Sequence, residues 1–327
     1  MSAYLLVVLV GAGLSALLTP VVSRASAVFG LVDAPDGRKV HLRSVSRLGG
    51  VAVCLSALGA LGVLKLASPA LWPATFVPGP VTILAGAGLV FAIGLLDDIR
   101  PISPVPKLLV ESAAAILVMS SGLLIERVTL LGSTWSLGWL AWPVTAAWMI
   151  GLTNAFNLID GVDGLASGVA AIACGTCAAI LIARSHPAEA LILAAMAGSA
   201  IGFLLFNFPP ASIFLGDSGS LTFGFVLATT AIAGWQKGAT ALTSAVPLLI
   251  FALPIADAAS TLVRRVLVRG NGGRPSLRRT LTQIATPDRG HIHHRLLALG
   301  WSTRRTVVVL YLVTLMLSAL ALASARV

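Results

Sequence analysis

Residues 164–183 read GLASGVAAIACGTCAAILIA, twenty consecutive residues without a formal charge. An α-helix needs about 20 apolar residues to cross the hydrocarbon core of a bilayer. The whole chain shares this character, because 57% of its 327 residues are hydrophobic and only 10% are charged, against roughly 25% charged residues in soluble domains. The mean hydropathy of +0.96 points the same way. These figures exclude a soluble globular protein and predict a polytopic helical membrane protein.

The apolar runs on either side of this segment repeat its pattern. Ten runs are long enough to be candidate spans, so we predict a single all-α integral membrane domain over residues 1–327. The longest polar segment, 264–304, is predicted to be a long basic loop within that domain. The first run has no basic residue before it and Arg24 after it, which favours a retained helix over a cleaved signal. The ten runs are roughly 4–23, 48–68, 80–96, 107–124, 138–153, 164–183, 190–206, 218–234, 240–263 and 305–324.

The net charge of +10 is concentrated on one side of these predicted spans. If the N-terminus lies outside, 17 of the 22 Lys and Arg residues fall in or beside cytoplasmic segments, as the positive-inside rule requires. The membrane therefore explains the basic charge, and we do not expect nucleic acid as a partner. Ten spans would leave both termini outside. The segments predicted to be cytoplasmic are 24–47, 97–106, 154–163, 207–217 and 264–304.

Nine of the twelve acidic residues map to the same side. Carboxylates at several helix ends, beside glycines and basic residues, suit a hard divalent cation such as Mg²⁺, which takes oxygen ligands and usually keeps phosphate and water in its shell. The implied substrate is a phosphate ester, bound at an active site on the cytoplasmic face. The nine acids are Asp33, Asp36, Asp97, Asp98, Asp160, Asp163, Asp217, Asp257 and Asp288.

Two motifs place acids at predicted helix ends. In GLLDDIRPISPVPK, residues 94–107, Asp97 and Asp98 end the third run and Lys107 opens the fourth. Two adjacent carboxylates on a helix cannot point the same way, so one is expected to face a site while the other serves the helix end or raises its neighbour's pKa. A pair of exposed helix-end acids is the alternative. The second motif, NAFNLIDGVDG at 154–164, spaces two amides and two acids three residues apart, and its glycines allow backbone to approach a ligand closely.

Three further motifs lie in predicted loops. FLGDSGS, residues 214–220, follows Asn207-Phe-Pro-Pro and precedes an apolar run. It could cap a helix, and a helix start also binds anions, so capping and function are compatible. DRGHIHHR, residues 288–295, holds three of the five histidines. This motif could bind zinc, form a solvated loop, or bind a phosphate or sugar. We favour phosphate or sugar binding, because a structural zinc site requires four fixed ligands. DAPDGRKVH, residues 33–41, is followed by Arg47 and forms a basic loop before the second run. The loop could belong to the site, or its basic residues could simply follow the positive-inside rule.

In this order the five motifs, over residues 24–301, resemble those of the polyprenyl-phosphate N-acetylhexosamine-1-phosphate transferase family. The resemblance implies transfer of an N-acetylhexosamine-1-phosphate, most simply GlcNAc-1-phosphate, from a UDP-sugar to undecaprenyl phosphate, with release of UMP. This reaction would be the first membrane step of a cell-envelope glycan pathway, in the bacterial inner membrane. Mg²⁺ is implied as cofactor, with Mn²⁺ as an alternative. The phospho-N-acetylmuramoyl-pentapeptide transferases are the alternative branch, but they usually have three consecutive histidines where this chain has HIHH.

The resemblance also implies roles for individual residues. Asp217 would be the central metal ligand, with Asn157 near or on the metal, and Lys107 would hold the pyrophosphate. Phe214 would stack on uracil. Asp98 as general base is a hypothesis, because the lipid phosphate is already ionised at neutral pH. The predicted catalytic residues are Asp97, Asp98, Lys107 and Asp160. The predicted substrate-binding residues are Asn154, Asp163, Asn207, Phe214, His291, His293, His294 and Arg295.

Several alternatives stay open. A transporter or lipid flippase is the rival class, but it would place ionisable groups near the bilayer midplane, and Glu111 and Asp257 enter predicted spans only near the cytoplasmic end. The Arg-rich stretch 265–287 leaves the sugar undecided, because close GlcNAc-type relatives have a short link there. Ten or eleven spans, the pathway, and a homodimer also remain open. The three cysteines lie in apolar runs, which favours packing between helices over disulfide or redox roles.

Overall fold

The structure is a computed structural model that describes residues 3–33, 45–73, 79–130, 133–235, 241–268 and 291–325. Three features of the sequence lie outside these ranges. They are the motif residues from Asp36 to His41, Asp288, and most of the Arg-rich stretch 265–287. The described residues form twelve α-helices, which we number in chain order.

The helices follow the apolar runs of the sequence closely. A predicted run at 240–263 is divided into two helices at Phe251. Pro254 explains the break, because it has no amide hydrogen to donate to the carbonyl of Ile250. The twelve helices are α1 Ala3–Val28, α2 Gly49–Ala67, α3 Gly79–Ile99, α4 Pro104–Ser120, α5 Ala141–Ile159, α6 Leu165–Ala183, α7 Pro187–Asn207, α8 Gly216–Trp235, α9 Ala241–Ile250, α10 Ala252–Val268, α11 Ile292–Ala298 and α12 Thr303–Ala325.

Six helices in the described ranges have both the length and the hydropathy to cross a membrane. They are α1, α2, α3, α6, α7 and α12. The chain is therefore a multi-pass helical membrane protein, but the predicted count of ten spans is not confirmed. The shortfall has a physical reason in α4, which is 17 residues long and carries Lys107 and Glu111.

Two short hairpins are an addition to the predicted all-α fold. Strand β1, Val32–Asp33, pairs antiparallel with β2, Val45–Ser46. Strand β3, Arg127–Leu130, pairs antiparallel with β4, Ser133–Ser136, between α4 and α5. The first hairpin also reaches the segment before α8, because Ser46 forms a parallel bridge with Ile213. These strands connect helices and leave the helical architecture unchanged.

Helix α8 forms the centre of the bundle. Its side chains from 218 to 234 are all buried, and it packs against α2, α3, α5 and α6. A helix that is apolar around its whole circumference belongs in the middle of a packed structure. Its threonine hydroxyls are satisfied within the helix, as where Thr222 donates to the carbonyl of Ser218 at 2.6 Å. Cys174 and Cys177 are buried free thiols in neighbouring α6, in keeping with a packing role.

Glycines allow the neighbouring helices to approach α8 closely. A Cβ at Gly50 of α2 would lie 2.2 Å from the backbone nitrogen of Gly219, and one at Gly94 of α3 would lie 2.7 Å from the carbonyl of Asp217. Small residues at such crossings are typical of membrane helices, because they let backbones pack directly against each other. The first turn of α8 is therefore held against the backbones of both α2 and α3.

Replacing Gly94 with alanine tests this packing. Gly94→Ala places a methyl group against backbone atoms of α8, and overpacking of this kind costs about 1–3 kcal/mol. We expect a lower thermal unfolding midpoint for the purified protein in detergent. Gly88→Ala is the matched control on the same helix, since nothing lies within 4 Å of a Cβ there. Equal midpoints for the two variants would contradict the packing described.

Candidate functional site

The first turn of α8 is capped by a carboxylate from another helix. Asp98, in the last turn of α3, accepts hydrogen bonds from the backbone nitrogens of Asp217, at 2.7 Å, and Ser218, at 3.0 Å. The Ser218 hydroxyl donates to the same carboxylate at 2.5 Å. The amides of a first helical turn have no partner within their own helix, and a negative charge there is favourable. Asp98 therefore acts as the cap of α8, and its oxygens are engaged in that role.

Gly216 makes this cap sterically feasible. Its φ of 75° is in the left-handed region that favours glycine. A Cβ there would lie 2.1 Å from the Arg47 carbonyl oxygen and 2.7 Å from both carboxylate oxygens of Asp98. The preceding residues are also fixed, because the Phe214 nitrogen donates to the Ser46 carbonyl at 2.8 Å and the Gly50 nitrogen to that of Leu215 at 2.7 Å. The segment that leads into α8 is thus bound to the start of α2.

Asp217 is held from two sides by side chains of other helices. Lys107 of α4 approaches its Oδ2 at 2.7 Å, and Asn157 of α5 donates from Nδ2 to its Oδ1 at 3.0 Å. The same Asn157 nitrogen donates to the hydroxyl of Ser220 at 3.0 Å. Lys107 also lies 3.1 Å from Asp97. Four helices, α3, α4, α5 and α8, therefore meet at this carboxylate.

The paired aspartates point apart, as two adjacent residues on a helix must. Asp97 accepts a hydrogen bond from the backbone nitrogen of Ile102 at 2.9 Å and forms its ion pair with Lys107. Asp98 turns toward α8 instead. The pair is thus not two exposed helix-end acids, since both side chains have partners in the bundle and both line a pocket.

The pocket of about 300 Å³ opens beside the start of α8. Five aspartates line it together with Arg47. This concentration of negative charge affects the pKa of Asp160, which follows the last residue of α5. Burial, with the charges of Asp217 and Asp98, raises the pKa of Asp160 well above its usual range, while a backbone hydrogen bond from Gly216 opposes the shift. The lining residues are Arg47, Asp97, Asp98, Asp160, Gly161, Val162, Asp163, Asn207, Phe214, Leu215, Gly216 and Asp217.

Two loops form one wall of the pocket. We call residues 160–164 the aspartate loop and residues 208–213 the proline loop. Asp163 of the first accepts a hydrogen bond from the backbone nitrogen of Ala211 in the second at 2.9 Å. At the base of the proline loop, the Asn207 amide donates to the Ile213 carbonyl at 2.9 Å and accepts from the Ser167 hydroxyl at 2.5 Å. The Asn207 side chain therefore joins the proline loop to the start of α6.

The histidine motif lies against the aspartate loop. A Cβ on Gly161 would be 2.9 Å from Nε2 of His293 and 3.8 Å from Nε2 of His294. His293 is 1% exposed, and its Nε2 has no hydrogen-bond partner among the described residues. Burial, followed by the charges of His294 and His291, lowers the pKa of His293 to about 3. The imidazole of His293 is therefore neutral at physiological pH.

A buried acid fixes the start of the histidine helix. Asp257 of α10 is 1% exposed, and its carboxylate lies 2.7 Å from Nδ1 of His291. It also accepts a hydrogen bond from the Ile292 backbone nitrogen, in the first turn of α11, at 2.6 Å. His291 and His293 stack with their ring centroids 5.5 Å apart. Asp257 thus orients the motif without lining the pocket.

Most of the residues predicted from the sequence come together here. Lys107 and Asn157 bind Asp217, and His293 and His294 contact the aspartate loop. Five predicted substrate-binding residues are outside the pocket lining, namely these two histidines and three others. Asn154 donates to Glu111 at 2.5 Å, His291 pairs with Asp257, and Arg295 is exposed on α11. The residues of the pocket lining that were predicted are Asp97, Asp98, Asp160, Asp163, Asn207, Phe214 and Asp217.

Several contributors were not predicted as site residues. Ser218 and Ser220 hold Asp98 and Asn157, but a serine in a helix start carries no signal beyond capping. Asp257 and Glu111 had a usable signal, since a carboxylate in an apolar run is almost never buried without a partner. The zinc interpretation of the histidines has no support, because no group of three or more His, Cys, Asp or Glu in the described ranges is arranged to hold a metal ion.

The fold and the pocket define a multi-pass helical membrane protein with a carboxylate-rich site at the buried start of one helix. The sequence model of glycosyl transferase family 4 matches residues 80–235, which contain α3 to α8 and most of the pocket. A probable undecaprenyl-phosphate N-acetylglucosaminyl 1-phosphate transferase of Bacillus subtilis is 35% identical over 95% of this chain and 82% of its own length. The chain belongs to glycosyl transferase family 4.

Two other relatives show how far the similarity extends. A decaprenyl-phosphate N-acetylglucosaminephosphotransferase of Mycolicibacterium smegmatis is 32% identical, over 87% of this chain and 73% of the relative. An undecaprenyl-phosphate α-N-acetylglucosaminyl 1-phosphate transferase of Escherichia coli K12 is 26% identical, over 89% of this chain and 76% of the relative. The similarity thus extends well beyond the pocket.

The neutral state of His293 predicts a pH dependence of stability. The unfolded chain takes up a proton on this histidine below about pH 6.5, whereas the folded protein does so only near pH 3. Stability should therefore fall as the pH drops below 6.5, by about 2 kcal/mol at pH 5. Thermal unfolding midpoints at pH 7 and pH 5 measure this loss.

The matched variants are His293→Gln and His186→Gln. His186 lies between α6 and α7, at the end of the bundle away from the pocket. We expect His293→Gln to reduce the difference between the two midpoints and His186→Gln to leave it unchanged. An identical pH dependence in the wild type and in His293→Gln would show that His293 is not the residue responsible.

Proposed function

We propose that this protein transfers GlcNAc-1-phosphate from UDP-GlcNAc to a polyprenyl phosphate, with release of UMP. The observation that carries the proposal is the position of Asp217 at the start of α8, between Lys107 and Asn157 and inside a pocket lined by carboxylates. The relatives are named as transferases of N-acetylglucosamine phosphate to undecaprenyl or decaprenyl phosphate, which supports the sugar phosphate and the lipid acceptor.

The reaction is a single displacement at phosphorus. An oxygen of the polyprenyl phosphate forms a bond to the β-phosphorus of UDP-GlcNAc, the bond to the bridging oxygen breaks, and UMP leaves with that oxygen. Two unit charges 5 Å apart repel by about 3 kcal/mol at an effective dielectric near 20, and the two substrates bring several such pairs together. Positioning and charge neutralisation are therefore the main requirements. Among the described residues, Lys107 beside Asp217 and Arg47 in the pocket lining can supply positive charge.

We propose Mg²⁺ as the cofactor, with Mn²⁺ as an alternative. Five aspartates face one pocket, where burial, together with the charges of Asp217 and Asp98, raises the pKa of Asp160. Mg²⁺ prefers oxygen ligands and is usually bound by one or two carboxylates plus substrate phosphates, so a ready-made cluster of protein ligands is not required. Asp217 would hold the ion, and Asn157 would orient Asp217. When bound, the ion supplies positive charge to the phosphates.

The aspartate and proline loops supply the proposed nucleotide site. Phe214 is a half-buried aromatic side chain in the pocket lining, suited to stacking on uracil. Asp163 belongs to the same lining. Nε2 of His293, which has no hydrogen-bond partner in the described part of the chain, faces the aspartate loop and would bind a phosphate or sugar oxygen. Lys107, between Asp97 and Asp217, remains for the lipid phosphate.

Assay of UMP release by the purified protein tests this function. The assay contains Mg²⁺ and undecaprenyl phosphate, with UDP-GlcNAc, UDP-GalNAc and UDP-MurNAc-pentapeptide offered in parallel. We expect UMP from UDP-GlcNAc only when the lipid is present. We expect at least a hundredfold loss in Asp217→Asn, because removing one group that stabilises transition-state charge typically costs that much.

The outcomes separate the candidate functions. Lipid-dependent UMP from UDP-MurNAc-pentapeptide alone would place the chain in the other branch of the family. A folded protein that releases no UMP from any of the three nucleotides would contradict the proposed transfer. The unfolding midpoint of each sample shows whether the protein is folded.

We further propose that the pocket faces the cytoplasm, in a bacterial inner membrane, and that the protein can act as a homodimer. The distribution of Lys and Arg supports this orientation. Ser302 is exposed between α11 and α12 on the pocket side, whereas Ser136 is exposed on β4 at the opposite end. The two serines are a matched pair for labelling.

Single substitutions Ser302→Cys and Ser136→Cys test the orientation. A membrane-impermeant maleimide added to spheroplasts should label Ser136→Cys at once and Ser302→Cys only after the membrane is made permeable. The wild-type protein, whose cysteines are buried or half-buried, is the background control. Labelling of Ser302→Cys in sealed cells would reverse the proposed orientation.

A further inference from the structure

The last helix of the chain contacts both loops of the pocket wall. Near its start, Arg304 donates from Nε to the Pro209 carbonyl of the proline loop at 2.8 Å. Two turns further along α12, the Tyr311 hydroxyl donates to the Gly164 carbonyl of the aspartate loop at 2.5 Å. Residues seven apart lie on the same face of a helix. One face of α12 therefore holds one carbonyl from each loop.

The contact of Tyr311 is built into the neighbouring helix. A Cβ on Gly168 of α6 would lie 2.0 Å from Cζ of Tyr311, so the phenol ring occupies space that only a glycine leaves. The Gly164 carbonyl also accepts from the backbone nitrogen of Gly168 at 2.9 Å and from the Ser167 hydroxyl at 3.2 Å, and the Tyr311 hydroxyl is its donor from outside α6. Gly164 itself has a φ of 74° and lies immediately before α6, where the aspartate loop enters that helix.

The two loops are also joined to each other and to the histidines. The Ala211 nitrogen donates to Asp163 across the wall, so a shift of the proline loop moves an aspartate of the pocket. The histidine helix α11 ends at Ala298, and α12 begins at Thr303. Helix α12 is therefore attached, by two hydrogen bonds and a short connection, to the three segments that surround the proposed nucleotide.

We propose that Arg304 and Tyr311 are positioning residues for the nucleotide half of the site. Neither side chain lines the pocket, so both act through the loop carbonyls that they bind. Their effect should be confined to the nucleotide, because no hydrogen bond or ion pair in the described ranges joins Asp97 or Lys107 to α12. This inference rests on the proposed function, since it assigns the wall to the nucleotide.

The test uses Tyr311→Phe and Arg304→Ala in the full-length protein. Tyr311→Phe keeps the ring on Gly168 and removes only the hydroxyl. Each lost hydrogen bond should weaken UMP binding about three- to tenfold and raise KM for UDP-GlcNAc by the same factor. KM for undecaprenyl phosphate should stay within about twofold of the wild type. Arg304→Lys keeps a donor and should recover part of the loss.

The chain supplies a matched control for each variant. Tyr4→Phe removes the hydroxyl of the chain's other tyrosine, which lies on α1, and Arg305→Ala removes the neighbouring arginine, which packs over Trp301. Both should retain the wild-type UMP affinity. Equal UMP affinity in Tyr311→Phe, Arg304→Ala and the wild type would overturn the inference. So would an equal rise in KM for both substrates, which is the result expected of general loosening.

Failure of the inference can be told apart from failure of the proposed function. If the wild type turns over UDP-GlcNAc and binds UMP but the α12 variants behave like their controls, only the positioning role is wrong. If the folded wild type neither turns over UDP-GlcNAc nor binds UMP, the proposed function fails first and the inference falls with it.

Discussion

The structure depends on a helix that begins inside the protein. The first turn of α8 carries backbone amides with no partner in their own helix, and it lies where α2 and α3 approach as closely as glycine permits. A carboxylate from α3 accepts hydrogen bonds from two of these amides and so joins the end of α3 to the start of α8. The same arrangement places the Asp217 side chain in the pocket, between Lys107 and Asn157. Fold and site therefore share one hydrogen-bonded junction.

This junction concentrates negative charge at one end of a largely apolar bundle. Five aspartates around one pocket are stable only if cations and amides accompany them, and Lys107, Arg47 and the start of α8 supply part of that compensation. Substrates with several phosphate charges would add to the excess, which is why a divalent cation fits the chemistry of the pocket. The rest of the bundle holds these groups at fixed separations near the membrane surface.

The sequence alone predicted the residue types of the site better than their arrangement. Apolar runs indicate where helices lie, and the aspartates at helix ends indicate a cation and phosphate site, but the single predicted run 240–263 misses the break before Pro254. Nothing in the spacing indicates that Asp98 caps α8 from 119 residues away in the sequence. Nor does it indicate that Asn154 forms a hydrogen bond with Glu111 and does not line the pocket. Contacts such as that of Tyr311 with a loop carbonyl leave no pattern in the sequence, because any acceptor would do.

Binding of UMP with and without Mg²⁺ tests the central claim most directly, namely that Asp217 at the start of α8 joins the cation to the nucleotide. Calorimetry on the wild type and on Asp217→Asn, both shown to be folded, gives four affinities. The account predicts that Mg²⁺ tightens UMP binding to the wild type and has no effect on Asp217→Asn. Equal tightening in both proteins would contradict the account, because the cation would then be held by other groups.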